Sequence, residues 1–287
     1  MNDSSRVIDR ELETIVQIAC DVGHLIMRHY ASEIFAEQKM GADAITEPVT
    51  AADREANALI VTALAKQFPD DHVLSEEEPD DFRTRMSHKR VWVVDPIDGT
   101  AGFIKKDDDF AVQIGLAVDG TPVVGVVYLP AHDTLYCARK GAGAFSISKG
   151  GDQRALRVSS TTDLHDITLA VSRNHRSPRM GRVVEGVGLK REVQRGSVGL
   201  KIGLIAEQTC DLYVHLSPRT KLWDTCAPQI ILEEAGGKLT DLFGSALRYD
   251  NADVQNHNGV LASNGVSHDL VVKKLAPILT EFSRVPV

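Results

Sequence analysis

The sequence predicts a layered α/β protein with an α+β N-terminal part, residues 1–150, and an α/β C-terminal part, residues 151–287. Three observations predict it. The chain opens on apolar residues at helical spacing. A β-rich stretch follows, entered through an apolar strand that stops abruptly at acidic residues. Beyond 151, short apolar strands alternate with helical patterns.

Ile8, Leu12, Ile15, Ala19, Val22 and Ile26 recur in steps of four and three, the stripe of a long amphipathic helix that Ser4 or Ser5 could cap. A second helix is expected over 51–66. Ala56, Leu59, Ile60, Ala63 and Leu64 face inward, and Thr50 and Asp53 form a capping arrangement at its start. Phe68-Pro69-Asp70-Asp71 ends it, and 72–75 reads as a short strand leading into Glu76-Glu77-Glu78. Val91-Trp92-Val93-Val94 reads as a buried strand. Segments 110–118 and 122–129 pair through an Asp119-Gly120 turn, with further strands at 134–138 and 144–148. Lys149-Gly150-Gly151-Asp152 reads as a loop and a domain edge. In the second half, strands are expected at 167–171, 211–216 and 259–262, and helices at 178–187, 199–207, 224–235 and 267–281. The 224–235 helix tolerates Pro228 in its first turns and stops at Gly236-Gly237.

With 287 residues, 43% of them hydrophobic, the chain can bury a sizeable core. A net charge of -8 disfavours nucleic acid and anionic membranes as partners. Cys20, Cys137, Cys210 and Cys226 make no C-x-x-C pair, which suits free thiols in a reducing compartment. Neither a signal-peptide pattern nor an apolar run long enough to span a bilayer is present, so cytoplasmic residence without membrane insertion is expected. The ten histidines show no zinc-binding H-x-x-x-H helix with an acid between, and Gly141-Ala142-Gly143 reads as a turn rather than a dinucleotide loop.

The chemistry concentrates at Asp95-Pro96-Ile97-Asp98-Gly99-Thr100. Two carboxylates projecting from one strand mouth repel each other unless a cation sits between them. Gly99 gives a ligand room to approach the backbone, and Thr100 can open a helix whose free N–H groups face an anion. Cation on one side and anion on the other is the plan of a metal-dependent phosphoryl-transfer site. Glu76 and Asp224, at the end of a strand and the start of a helix, could reach the same cleft. Four carboxylates and a backbone carbonyl suit two hard divalent ions such as Mg2+. Taken singly, Glu76 also fits a solvated acidic loop, and Asp53 and Asp224 also fit helix caps.

These motifs, with Pro48-Val49-Thr50-Ala51-Ala52-Asp53, Ser75-Glu76-Glu77 and Trp223-Asp224 leading into Glu234-Ala235-Gly236-Gly237, resemble the inositol monophosphatase superfamily of magnesium-dependent, lithium-sensitive phosphatases. Trp223-Asp224-Thr225-Cys226-Ala227-Pro228 and Gly102-Phe103-Ile104-Lys105 are most similar to its 3'(2'),5'-bisphosphate nucleotidases. Glu47 and Ala101 depart from that branch, which commonly carries serine and lysine there. The resemblance implies an α-β-α-β-α sandwich with the site between the two parts. It implies that Glu76, Asp95, the Ile97 carbonyl, Asp98 and Asp224 hold two Mg2+ ions, with Asp53 serving a third, weaker site through water. Gly99 and Thr100 N–H groups would bind phosphate, and Thr100 and Glu76 would orient the attacking water. Ser197 and Lys201 would lie near the nucleotide, and Lys105, Lys106 or Arg195 could meet a second phosphate.

The implied reaction is removal of the 3'-phosphate of adenosine 3',5'-bisphosphate, and of its phosphosulfate derivative, in sulfur metabolism, by a monomer or homodimer. The alternatives are an inositol-1-phosphate or broad sugar-phosphate phosphatase, and an inactive binding protein of the same fold. Haloacid-dehalogenase-type phosphatases space their acids one residue apart, whereas Pro96 and Ile97 separate them here.

Overall fold

A computed structural model describes residues 3–148, 151–174 and 177–286. Lys149 and Gly150 of the expected domain edge, and the side chain of Ile8, lie outside the described residues. Helix α1 (Asp3–Tyr30) runs through Ser4 and Ser5, so neither serine caps it. A hairpin of β1 (Ala36–Met40) and β2 (Thr46–Thr50) leads into α2 (Ala51–Gln67), then β3 (His72–Ser75), α3 (Phe82–Ser87), β4 (Arg90–Asp98) and α4 (Thr100–Lys105). Strands β5 (Ala111–Val118), β6 (Thr121–Leu129), β7 (Thr134–Arg139), β8 (Gly143–Ile147) and β9 (Gln153–Ala155) complete a seven-stranded sheet in the order β3 to β9. Next come β10 (Thr168–Ser172), α5 (Met180–Val187), β11 (Arg191–Arg195), α6 (Val198–Ala206), β12 (Leu212–His215) and α7 (Leu222–Glu234). The last elements are β13 (Lys238–Thr240), β14 (Val260–Ser263) and α8 (His268–Glu281). The second sheet has the order β11-β10-β12-β14-β13.

The layers follow from where each element is apolar. The stripe of α1 (Ile15, Ala19, Val22, Ile26) and that of α2 (Ala56, Ile60, Leu64) are buried against Trp92, Val94, Ile114 and Val126 of the large sheet. The sheet's other face carries α6 and α7, through Ala111, Val127, Leu200, Ala227 and Ile230. Those two helices also back onto the small sheet, where Ile202 and Leu232 meet Tyr213 and Leu239. Its outer face is covered by α5 and α8, through Val183, Leu275 and Ile278. The result is an α-β-α-β-α sandwich. Helix α7 is buried on nearly every side because it lies between two sheets. It comes that close because β5 carries Gly115, where a Cβ would stand 2.9 Å from the Ala227 nitrogen.

The β5–β6 turn takes left-handed Asp119 (φ 47) and Gly120 (φ 73), as a tight two-residue hairpin requires. Strand β9, at 153–155, still belongs to the first sheet. No helix among the described residues is long and apolar enough to cross a membrane.

Candidate active site

Strand β4 is buried from Val91 to Asp98, and it pairs regularly with β5 until Asp95 meets Gln113. The register then shifts between Asp95 and Asp98. Pro96 has no N–H for the ladder, so a bulge is where the chain accepts it, and a bulge re-aims side chains. Asp95 and Asp98 are thereby brought together with Asp224 of α7. One carboxylate oxygen from each lies within 4.8 Å of the other two. Burial pushes the Asp95 carboxyl well above the usual range, and Glu76, Asp98 and Asp224 push it further. Burial and the neighbouring Asp98 do the same to Asp224. Asp98 is held by Ser197 Oγ (2.5 Å) and the Gly199 N–H (2.8 Å), both donating to Oδ2. Asp95 Oδ1 is buried with no hydrogen-bond partner. Crowded carboxyls with an unpaired buried oxygen and an all-oxygen donor set fit a hard divalent cation.

Asp53 and Asp224 share a local design. Each is the third residue of its helix, where a side chain can reach back to the backbone N–H preceding the helix. Asp53 Oδ2 accepts from the Thr50 N–H (2.8 Å) and hydroxyl (2.5 Å). Asp224 Oδ2 accepts from the Lys221 N–H (2.6 Å). Asp224 is therefore inside the helix and not its N-cap. Pro228 lies four residues on and has no N–H to offer the Asp224 carbonyl. A carboxylate has two oxygens, so a capping role leaves one for the site. In Asp53 that oxygen, Oδ1, receives the Thr100 hydroxyl at 3.2 Å. The same hydroxyl lies 3.1 Å from the Ile97 carbonyl. With its proton directed at these acceptors, the Thr100 oxygen keeps lone pairs to accept a hydrogen bond from water.

Glu76 follows β3, and its charge is among those that raise the Asp95 carboxyl. Its Oε1 also receives the Lys39 ammonium at 3.0 Å, and Lys39 contacts Glu77 as well. Burial raises the Glu76 carboxyl and Lys39 offsets part of that rise. Lys39 sits on the β1–β2 hairpin. On the hairpin's other strand, Glu47 Oε1 lies 2.9 Å from Lys221 Nζ and 3.6 Å from Arg219, and Asp43 lies 3.3 Å from Arg219. Glu47, the departure noted in the sequence, is thus the anionic half of a link between the hairpin and the segment leading to Asp224. Sequence reasoning missed this wall. Its only signal is Glu47 itself, an acid where a small hydroxyl is expected.

Gly99 takes φ +97, and a Cβ there would lie 2.8 Å from the Asp109 carbonyl. No other residue fits the position without moving the backbone. Ser197 also has positive φ (50); its hydroxyl caps α6 at Leu200 and donates to Asp98. Lys201 is buried, with its ammonium on the carbonyls of Gly196 and Ser197 and 5.0 Å above the Tyr213 ring. Burial lowers its pKa to about 8. Two of its three N–H donors hold its own turn, which leaves one.

Glu76, Asp95, Ile97, Asp98, Gly99, Thr100, Ser197, Lys201 and Asp224 all line a single cavity of about 560 Å3, to which Arg173, Arg219 and Lys221 also contribute. Asp53 reaches it through Thr100. Lys105, Lys106 and Arg195 do not line it; they bond to Asn174, the Ser32 carbonyl and the Gln194 carbonyl. Arg173 is salt-bridged to Asp107 (3.3 Å) and Asp109 (2.9 Å), so the Asp107-Asp108-Asp109 loop anchors a cavity cation.

The profile of the inositol monophosphatase family matches residues 8–280. The chain belongs to that family. It is 34% identical over 238 residues, 83% of this chain and 93% of the relative, to the 3'(2'),5'-bisphosphate nucleotidase CysQ of Escherichia coli K12. It is also 36% identical over 232 residues, 79% and 84% of the two chains, to the histidinol-phosphatase of Mycobacterium tuberculosis. Among solved structures it resembles an IMPase of Thermotoga maritima, with TM-score 0.79 and 30% identity over 95% of this chain and 99% of that one. The chain is accordingly a phosphatase of this family, whose enzymes use divalent metals, and Asp95, Asp98 and Asp224 can bind one.

Proposed function

We propose that this chain is a Mg2+-dependent, lithium-sensitive phosphomonoesterase that releases the 3'-phosphate of adenosine 3',5'-bisphosphate, giving AMP and phosphate. The observation that carries the reading is the composition of one cavity. It holds the carboxylate cluster for the reacting phosphate, and it also holds Arg173, Lys201, Arg219 and Lys221 for a second anionic group. The similarity to CysQ supports the same substrate class.

Asp95, Asp98, Asp224 and Glu76, with the Ile97 carbonyl, would hold the metal, which when bound supplies Lewis-acid stabilisation of phosphoryl charge and makes water more acidic. The chain's own residues do the rest. Asp53 anchors the Thr100 hydroxyl, and Thr100 in turn accepts from the attacking water and aims it. Backbone N–H groups at Gly99 and Thr100 approach the phosphate closely because Gly99 has no side chain. Ser197 and the Gly199 N–H keep Asp98 from rotating. Substrate discrimination comes from the distal cations. A charge-assisted contact contributes about 1.5–3 kcal/mol, roughly tenfold or more in affinity.

A second reading, an inositol-1-phosphate or broad sugar-phosphate phosphatase, draws on the Thermotoga similarity and on Glu47, whose carboxylate occupies Lys221 and reduces the cationic character of that wall. Phosphate release from a panel of adenosine 3',5'-bisphosphate, inositol 1-phosphate and histidinol phosphate separates the readings. The expected order of kcat/KM places the bisphosphate first, with lithium inhibiting. A preference for either monophosphate would replace the nucleotidase reading.

A further inference from the structure

Gln113 lies in the middle of β5 with no exposed surface, and neither its amide nitrogen nor its amide oxygen has a hydrogen-bond partner among the described residues. An unpaired buried amide is costly, and an apolar side chain of the same shape would avoid that cost. What surrounds it points to a reason for keeping it. Gln113 is the cross-strand partner of Asp95, so the two side chains leave the same face of the sheet with Cβ atoms about 4.5–5.5 Å apart. Asp95 Oδ1 is the other buried, unpaired polar atom at this place. From the α6 side, a Cβ on Gly199 would stand 3.1 Å from Gln113 Cδ and 3.3 Å from its Nε2, and the Gly199 N–H holds Asp98. Two residues along the same strand face, Gly115 receives the backbone of α7 at Cys226 and Ala227, two and three residues beyond Asp224. The amide therefore stands where β4 and α7, which carry the clustered carboxylates, meet the start of α6, which holds Asp98.

We propose that Gln113 is a positioning residue for that cluster: its amide N–H donates to Asp95 Oδ1 through one buried water, and so determines which Asp95 oxygen faces the bound cation. The inference rests on reading the cluster as a cation site. Glutamine suits the task because it is neutral and adds no charge to a crowd of carboxylates. Groups that orient a metal ligand from behind typically affect metal affinity or activity by about 10–100-fold.

The test is Gln113→Met, which keeps the length and removes the amide. Mg2+ binding is measured by isothermal titration calorimetry without substrate, beside melting temperatures in excess chelator. The expected result is a Mg2+ dissociation constant raised about tenfold, with a chelator melting temperature equal to or above that of the unchanged protein. An unchanged Mg2+ dissociation constant with a raised melting temperature makes Gln113 a packing residue and overturns the proposal. Should Gln113→Met not fold, Gln113→Asn, which withdraws the amide by one methylene, is expected to weaken Mg2+ binding in the same direction; undiminished binding overturns the proposal there too. Absence of Mg2+ binding by the unchanged protein would instead remove the metal reading itself, and the proposal with it.

Discussion

At the β4 end of the cavity Asp95 and Asp98 are 1% and 5% exposed, and their positions are set by a strand bulge, a glycine without alternative and the start of a buried helix. Across the cavity the β1–β2 hairpin is the opposite case. Phe35 and Met40 are 74% and 68% exposed, and the hairpin reaches the cavity through ion pairs of Lys39, Asp43 and Glu47. Backbone geometry and close packing set the first wall. The second is held by ion pairs whose members are largely shielded, Arg219 alone being open to solvent at 40% exposure.

The comparison can be broken most directly at the rigid wall. Asp95→Asn, Asp98→Asn and Asp224→Asn each keep their shape and lose a charged ligand. Each should lower kcat by more than about 100-fold, since even groups behind a ligand contribute up to that much. The variants should remain folded by circular dichroism. Turnover near that of the unchanged protein in any one would remove that residue from the site. Thr100→Val comes next, with kcat down about 10–100-fold and KM nearly unchanged, because aiming water matters in the transition state. A rise in KM alone would contradict the role given to Thr100.

Smaller effects are expected at the hairpin wall. Glu47→Ser removes one of the two acids, beside Asp43, that neutralise Lys221 and Arg219, which favours an anionic substrate. It should lower KM for adenosine 3',5'-bisphosphate by less than about fivefold, the scale of one partly exposed ion pair. It should leave kcat on inositol 1-phosphate unchanged. A loss of kcat on both substrates would mean that the hairpin belongs to the chemistry after all.

The rigid wall also makes a prediction about pH. Asp95 and Asp224 have folded-state pKa values above the unfolded value of 3.8. From about pH 4 up to those raised values the folded protein holds more protons than the unfolded one, so metal-free stability falls as pH rises. Melting temperatures in chelator should drop as pH rises above about 4, and the drop should shrink in Asp95→Asn, which cannot ionise. Identical slopes would show that this carboxyl is not strained by its neighbours.

The sequence discloses the rigid wall and conceals the other for one physical reason. Buried elements advertise themselves through periodicity. The stripes of α1 and α2, the β4 run and the apolar α7 all read as the right kind of element, α2 and α7 within one or two residues at their ends and β4 four residues short of Asp98. The hairpin buries no sheet face, so Ala36–Met40 carries no alternation. The edge strand Arg191–Arg195 is mostly polar for the same reason and went unread, as did the three-residue β9 and β13. At the site, Asp95-Pro96-Ile97-Asp98 was legible because few structural needs put two acids at the end of a buried strand. Asp53 and Asp224 looked like caps, and the structure shows that they do contact cap N–H groups while adjoining the site. Partnerships across 174 residues, such as Lys221 with Glu47, leave no local trace. Lys201 is the reverse lesson: a lysine expected to face substrate holds its own turn together with two of its donors.

The central claim is that the Asp95, Asp98 and Asp224 cluster works by holding divalent metal for phosphomonoester hydrolysis. Phosphate release from adenosine 3',5'-bisphosphate, followed as Mg2+ is titrated into protein freed of metal, tests it in one curve. The account predicts no release in excess chelator, a rise to saturation with Mg2+, and no such rise in Asp95→Asn. Full-rate release in excess chelator would contradict it.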